Sequence, residues 1–262
     1  MVLVAASNAW IARRTAPVQP PPPTPPGATR FETPVRVTVA GGHDAALTIS
    51  ALRWPATSPA GDARPVILIH GGPGQARDFA GLRPSADDPG LAAMLARDRT
   101  VYAIDLPGFG GSTREAADYS MLAAARAVLA WMTANNIPRA HALGWSQGGG
   151  VVLHMADLEP DRIASVTLLA AVAMQQTEGS RSYGFEHARY AVGDAARILA
   201  PRVTPNFGLI PPAPPAFTRF FSDSDQRPLG DVLGRLQPPL LVVYGPKDFP
   251  IPHMAAIGHE PA

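Results

Sequence analysis

The chain has 262 residues, with 22 basic and 21 acidic side chains, a net charge of +1 and no cysteine. That length suits one large domain, and the charge balance offers no field to attract nucleic acid or an anionic surface. The lack of cysteine excludes disulfides, thiolate metal sites and cysteine nucleophiles, while 46% hydrophobic and 16% charged residues supply enough apolar side chains for a substantial core.

In chain order, residues 1–11 are mostly apolar and are followed by Arg13-Arg14. The stretch is shorter than the ~20 residues that span a bilayer and lacks the basic start of a secretory signal. It reads as a frayed leader or as the end of a membrane anchor, so the chain belongs in the cytoplasm or tethered to the cell envelope. Of the 30 prolines, seven lie between Pro17 and Pro26. Proline fixes φ and removes the amide donor, so that run predicts an extended linker. Residues 1–28 are therefore read as leader and linker, and residues 29–173 as the first part of a folded core.

Seven strands are predicted, over 35–40, 46–53, 65–70, 100–105, 139–144, 164–172 and 239–244. The first two alternate loosely, as an antiparallel entry does. The later ones are near-continuous apolar runs, as in parallel strands buried on both faces. Leu122, Ala125, Leu129 and Met132 recur at helical spacing, ended by Ile137-Pro138. Strand, helix and strand in repetition predict an α/β fold with a doubly wound, mostly parallel sheet. Residues 174–237 carry no clear strand pattern but hold aromatics and a second proline cluster. They are read as a cap inserted after the sixth strand, over the strands' carboxyl ends, where open α/β sheets bind ligands. Residues 238–262 are the second part of the core, with no eighth strand visible.

Chemistry is carried first by Gly144-Trp145-Ser146-Gln147-Gly148, which follows a predicted strand and opens a predicted helix. Small residues two positions either side of Ser146 let strand and helix approach, and the hydroxyl is presented at a helix N-terminus. The second signal is His70-Gly71-Gly72-Pro73-Gly74, after the strand 65–70. Acyl transfer needs amide donors aimed at the developing oxyanion, and Gln147 and Gly72 are the candidates. His70 is read as holding its loop by hydrogen bonding, with Gly71, Gly74, Gly144 and Gly148 as structural parts of the two motifs. The glycine loop lacks the Gly-Lys-Ser/Thr or Gly-x-Gly-x-x-Gly company of a phosphate cradle.

With these motifs, and with Asp105-Leu106-Pro107-Gly108-Phe109-Gly110-Gly111-Ser112 after the strand 100–105, the chain resembles the α/β-hydrolase superfamily over residues ~30–248. The resemblance implies that Asp105 is structural and that Ser146 is a nucleophile, with no metal and no organic cofactor. It also implies that the triad acid follows the next-to-last strand, where Asp248 stands. Relatives that dehalogenate haloalkanes or open epoxides carry an aspartate where Ser146 stands, so those chemistries are disfavoured.

The resemblance further requires a histidine beyond an eighth strand. His259, in Gly258-His259-Glu260-Pro261, follows Asp248 by only 11 residues. Ser222-Asp223-Ser224-Asp225-Gln226-Arg227-Pro228-Leu229 and Tyr183-Gly184-Phe185-Glu186-His187 look like a subset of bacterial members, some with membrane segments. In that subset the segment after the acid is a helix with a histidine of its own, near which His259 falls. The chain is accordingly read as stopping short of the eighth strand and its histidine, with His259 as the candidate base within the 262 residues. The expected function is hydrolysis of a small to medium carboxylic ester. The alternatives are a peptidase or amidase, because the His70–Gly74 loop also looks like that of proline iminopeptidases, or an inactive binding module. An iminopeptidase would hold its substrate's amine with clustered cap carboxylates, whereas Glu178, Glu186 and Asp194 are scattered.

Overall fold

The computed structural model describes residues 23–59, 61–62, 64–81, 89–171 and 228–244, with short pieces between 184 and 225. Seven strands form one sheet: β1 Thr29–Thr38, β2 Asp44–Trp54, β3 Val66–Ile69, β4 Val101–Ile104, β5 Ala140–Trp145, β6 Ile163–Leu169 and β7 Leu240–Val243. Their spatial order is β1-β2-β4-β3-β5-β6-β7. β1 pairs antiparallel with β2, and β2 with β4; every other pairing is parallel. This is the mostly parallel, doubly wound α/β sheet that the patterning predicts. The α-helices among the described residues include α1 Leu91–Leu95, α2 Met121–Ala134, α3 Gln147–Leu158 and α4 Leu229–Gly234.

The apolar runs have the expected cause. Along β3, Ile67 and Ile69 enter one core while Val66 and Leu68 enter the other. Period-two alternation thus buries both faces, and a strand so placed has no polar side. The larger core gathers Val128, Trp131 and Met132 of α2 with Val151, Val152 and Met155 of α3. The smaller gathers Leu52, Trp54 and Val101 with Phe79 and Ala92.

β1 differs from its prediction. It starts at Thr29, ahead of the predicted 35, and gives way to a short 3-10 turn at Ala40–Gly42. Pro34 and Glu32 argue against a strand in an interior setting, but β1 is the sheet's edge, where a missing N–H costs little. The end of the proline run is docked: Pro25 is buried, and the Trp54 indole N–H donates to the Pro26 carbonyl at 3.3 Å. Residues 1–22 and most of 174–227 lie outside the described residues. No helix of the described residues is long and apolar enough to cross a membrane.

Candidate active site

Ser146 sits alone between β5 and α3, as the N-cap of the helix, with φ 51° and ψ −122°. A positive φ on a serine is a strained conformation, costing on the order of 1–3 kcal/mol, and it persists only where the surroundings impose it. Two backbone bonds do so here. The Ser146 N–H donates to the Leu169 carbonyl at 3.1 Å, and the Ser146 carbonyl accepts from Gly149 N–H at 2.9 Å. The turn is closed so tightly that a Cβ on Gly144 would strike the Gly148 carbonyl, and one on Gly148 the Ile69 carbonyl. As the first helical residue, Gln147 presents an N–H with no intrahelical acceptor beside the serine.

The loop after β3 runs directly alongside. A Cβ on Gly71 would lie 2.7 Å from Ser146 Cβ and 3.3 Å from its Oγ, and one on Gly72 would collide with the Gln147 side-chain oxygen. Two buried side chains hold the loop. His70 is fully buried, accepts Leu106 N–H through Nε2 at 3.1 Å, and has Nδ1 2.7 Å from the Gly71 carbonyl. An amide N–H only donates and a carbonyl only accepts, so the proton is on Nδ1 and the ring is neutral. Burial pushes its pKa down, in keeping with that form. The Phe109 ring packs edge-on against it at 5.3 Å.

Asp105, also fully buried, is the second holder. Its Oδ1 accepts Ala76 N–H at 2.6 Å, and its Oδ2 accepts Gly111 N–H at 2.9 Å and Arg30 Nη1 at 2.8 Å. Ala76 opens a 3-10 turn, Ala76–Ala80, that follows Gly74 and carries a reciprocal cap between Gln75 and Asp78. One carboxylate therefore joins β1, the loop after β3 and the loop after β4.

His154, within α3, is buried and held below the ordinary imidazole pKa by that burial. Asp248 and His259 lie outside the described residues, as does His187. β7 nonetheless ends next to the elbow: the Ala170 N–H donates to the Val243 carbonyl at 2.7 Å, one residue beyond the carbonyl that binds Ser146. Among the described residues there is no group of three or more His, Cys, Asp or Glu side chains able to hold a metal ion.

A role unread in the sequence belongs to Asp223 and Ser224. The Met121 N–H donates to Ser224 Oγ and the Tyr119 N–H to Asp223 Oδ2, both at 3.1 Å. With Ser120 as N-cap, accepting Ala123 N–H, they satisfy the start of α2 from a segment more than a hundred residues on in the sequence.

Known proteins are similar to this chain in sequence and in fold. The chain is 33% identical over 135 residues to a dihydrolipoyllysine-residue acetyltransferase component of an acetoin cleaving system from Pseudomonas putida, covering 51% of this chain and 34% of that protein. It is 30% identical over 195 residues to a pimeloyl-[acyl-carrier protein] methyl ester esterase from Aeromonas salmonicida, covering 62% of this chain and 72% of that protein. The chain thus spans about a third of the length of the first relative and most of the second. In fold it is similar to a thermophilic esterase from Thermogutta terrifontis, with TM-score 0.63, 21% identity and coverage of 87% of this chain and 85% of that one. A membrane phospholipase A gives TM-score 0.60 at 22% identity, over 94% and 76% of the two chains. The family model for the alpha/beta hydrolase fold matches residues 64–207, more than half of the chain and the stretch that holds both the serine turn and the glycine loop, so the chain belongs to the alpha/beta hydrolase fold family.

Proposed function

We propose that the chain is a serine hydrolase that cleaves a small to medium carboxylic ester through an acyl-enzyme on Ser146. The observation that carries this reading is the strained Ser146 at the start of α3, with the backbone of Gly71 and Gly72 against it. Ser146 Oγ attacks the acyl carbon, and the Gln147 and Gly72 N–H groups hold the oxyanion as the tetrahedral intermediate forms. A histidine takes the serine proton and returns it to the leaving alcohol, and Asp248 holds that histidine's tautomer and stabilises the imidazolium. His259 is the candidate for the base in these 262 residues. Water then attacks the acyl-enzyme by the same route. The relatives' names support an ester as substrate, since a methyl ester esterase is among them.

The reading is tested with p-nitrophenyl esters and an alkyl fluorophosphonate. Ester turnover and stoichiometric labelling of Ser146, both lost in Ser146→Ala, are expected. Faster cleavage of prolyl-arylamides than of esters would replace the esterase reading by the iminopeptidase one. No turnover and no label at Ser146 would leave a binding module.

A further inference from the structure

The described residues hold a second line of serine, histidine and aspartate, at the opposite end of the sheet from Ser146. His141 of β5 and Ser165 of β6 are register partners. Their neighbours Ala140, Ala142 and Val166 are buried in the core shared with α2 and α3. By strand alternation His141 and Ser165 therefore point out of the other face. His141 Nδ1 is 2.7 Å from Ser165 Oγ, and His141 Nε2 is 3.0 Å from Asp62 Oδ2. Asp62 is gripped by Arg64 through two guanidinium bonds, at 2.8 and 2.9 Å, and by its backbone N–H at 3.1 Å. The Arg64 bonds hold the Asp62 carboxyl well below the usual carboxylate range. An ionised carboxylate only accepts, so Nε2 carries the ring proton and the Nδ1 lone pair is left for the Ser165 O–H. The result is a hydroxyl on a base, with an acid behind the base to stabilise the imidazolium.

We propose that Ser165 is a second nucleophile, a site that takes an activated phosphonyl or acyl group once per chain. It is open to solvent-borne reagents: the side chains of His141 and Asp62 are 20% and 34% exposed, and Ser165 is half-buried. With an alkyl fluorophosphonate, Ser165 Oγ forms the bond to phosphorus and the P–F bond breaks. Fluoride leaves, and the serine proton passes to His141 Nδ1.

The two serines differ in the amide that follows. Gln147, after Ser146, opens a helix and has its N–H uncommitted to the helix. Val166, after Ser165, donates its N–H to the Pro239 carbonyl at 2.8 Å. With that amide spent on the sheet ladder, the oxyanion has no backbone donor from the following residue. Ser165 accepts a group and does not turn over.

This inference does not rest on the Ser146 reading, and its test separates the two. Ser146→Ala protein is treated with an alkyl fluorophosphonate and followed by intact mass and peptide mapping. One phosphonyl group per chain on Ser165 is expected, absent in Ser146→Ala/Ser165→Ala. The rate should fall about 100-fold in Ser146→Ala/His141→Gln and should also fall in Ser146→Ala/Asp62→Asn, where the histidine loses the carboxylate behind it. An unmodified Ser165 peptide in Ser146→Ala protein with native circular dichroism overturns the proposal. So does labelling of Ser165 at an unchanged rate once His141 is replaced. Labelling of Ser146 in the unsubstituted chain is read separately and bears only on the esterase reading.

Discussion

His70 accepts the Leu106 N–H through Nε2 at 3.1 Å while its Nδ1 faces the Gly71 carbonyl at 2.7 Å, so one buried ring ties the loop after β3 to the loop after β4. A second proton on that ring would point at an N–H donor, and burial already pushes its pKa down. A histidine kept neutral in the fold contributes its full stability above the ordinary imidazole pKa of about 6.5. The contribution is lost as pH falls below that value towards the lower folded one. The unsubstituted chain should therefore lose Tm more steeply than His70→Asn between about pH 7.5 and pH 5. At pH 7.5 the variant should be less stable by about 2 kcal/mol. The buried His154 titrates in the same direction but is common to both proteins and cancels in the comparison. Parallel Tm profiles would show that His70 does not carry this pH dependence.

Gly71 and Gly72 separate backbone from side-chain crowding. A methyl group on Gly71 meets Ser146 Cβ at 2.7 Å and the Trp145 carbonyl at 3.2 Å, both on the rigid turn. A methyl group on Gly72 meets the end of the flexible Gln147 side chain. Gly71→Ala should therefore cost about 100-fold in ester kcat/KM by displacing the serine or the loop. Gly72→Ala should cost about tenfold or less, because Gln147 can rotate aside. Steady-state kinetics on one p-nitrophenyl ester, with Tm as the folding control, checks the order.

Much of this site was legible because its parts are local. Gly144, Ser146 and Gly148 lie within one turn, and His70 to Gly74 within one loop, so their spacing states what the backbone must do. The seven strands were legible from β-branched runs, except where edge position let β1 extend through Glu32 and Pro34. What escaped was long-range. No local signal says that Ser224 satisfies the amide of Met121, or that Arg30 on β1 meets Asp105 after β4. Polar partners so distant in sequence are joined by topology, which no sequence window contains. The pairing of His141 with Ser165 was hidden for the same reason, since it follows from strand register.

Asp105 should be the most costly polar residue to alter. Its carboxylate takes three donors from three parts of the chain and is fully buried. In Asp105→Asn one oxygen becomes an NH2 group facing donors, and Arg30 loses its counter-charge. Breaking a buried pair from one side costs roughly 3–5 kcal/mol. Urea unfolding should report a loss of that size, and a change below about 1 kcal/mol would reduce the carboxylate to a surface-like role.

Ser224 and Asp223 give a smaller, local effect. Ser224→Ala removes the acceptor of the Met121 N–H and should cost about 1 kcal/mol, as loss of a helix cap does. The change should be concentrated at the start of α2. Amide hydrogen exchange at Met121 to Ala123 should accelerate, while the β5 amides keep their protection.

The strain at Ser146 predicts a sign rather than a size. At φ 51° and ψ −122° a side chain is disfavoured whatever its chemistry, and glycine adopts that region freely. In an ordinary helix or strand, glycine is less stable than alanine by about 0.5–1 kcal/mol. At this turn the order should invert, with Ser146→Gly more stable than Ser146→Ala by about 1 kcal/mol once the relieved strain exceeds glycine's entropy cost. Neither variant retains a hydroxyl, so both should lack turnover through this residue, and the stability difference is read free of any catalytic effect. Chemical denaturation of the two variants under one condition decides it. If alanine proves the more stable, the backbone at residue 146 relaxes to an ordinary conformation, and the serine is not held by the turn in the way that presents its hydroxyl.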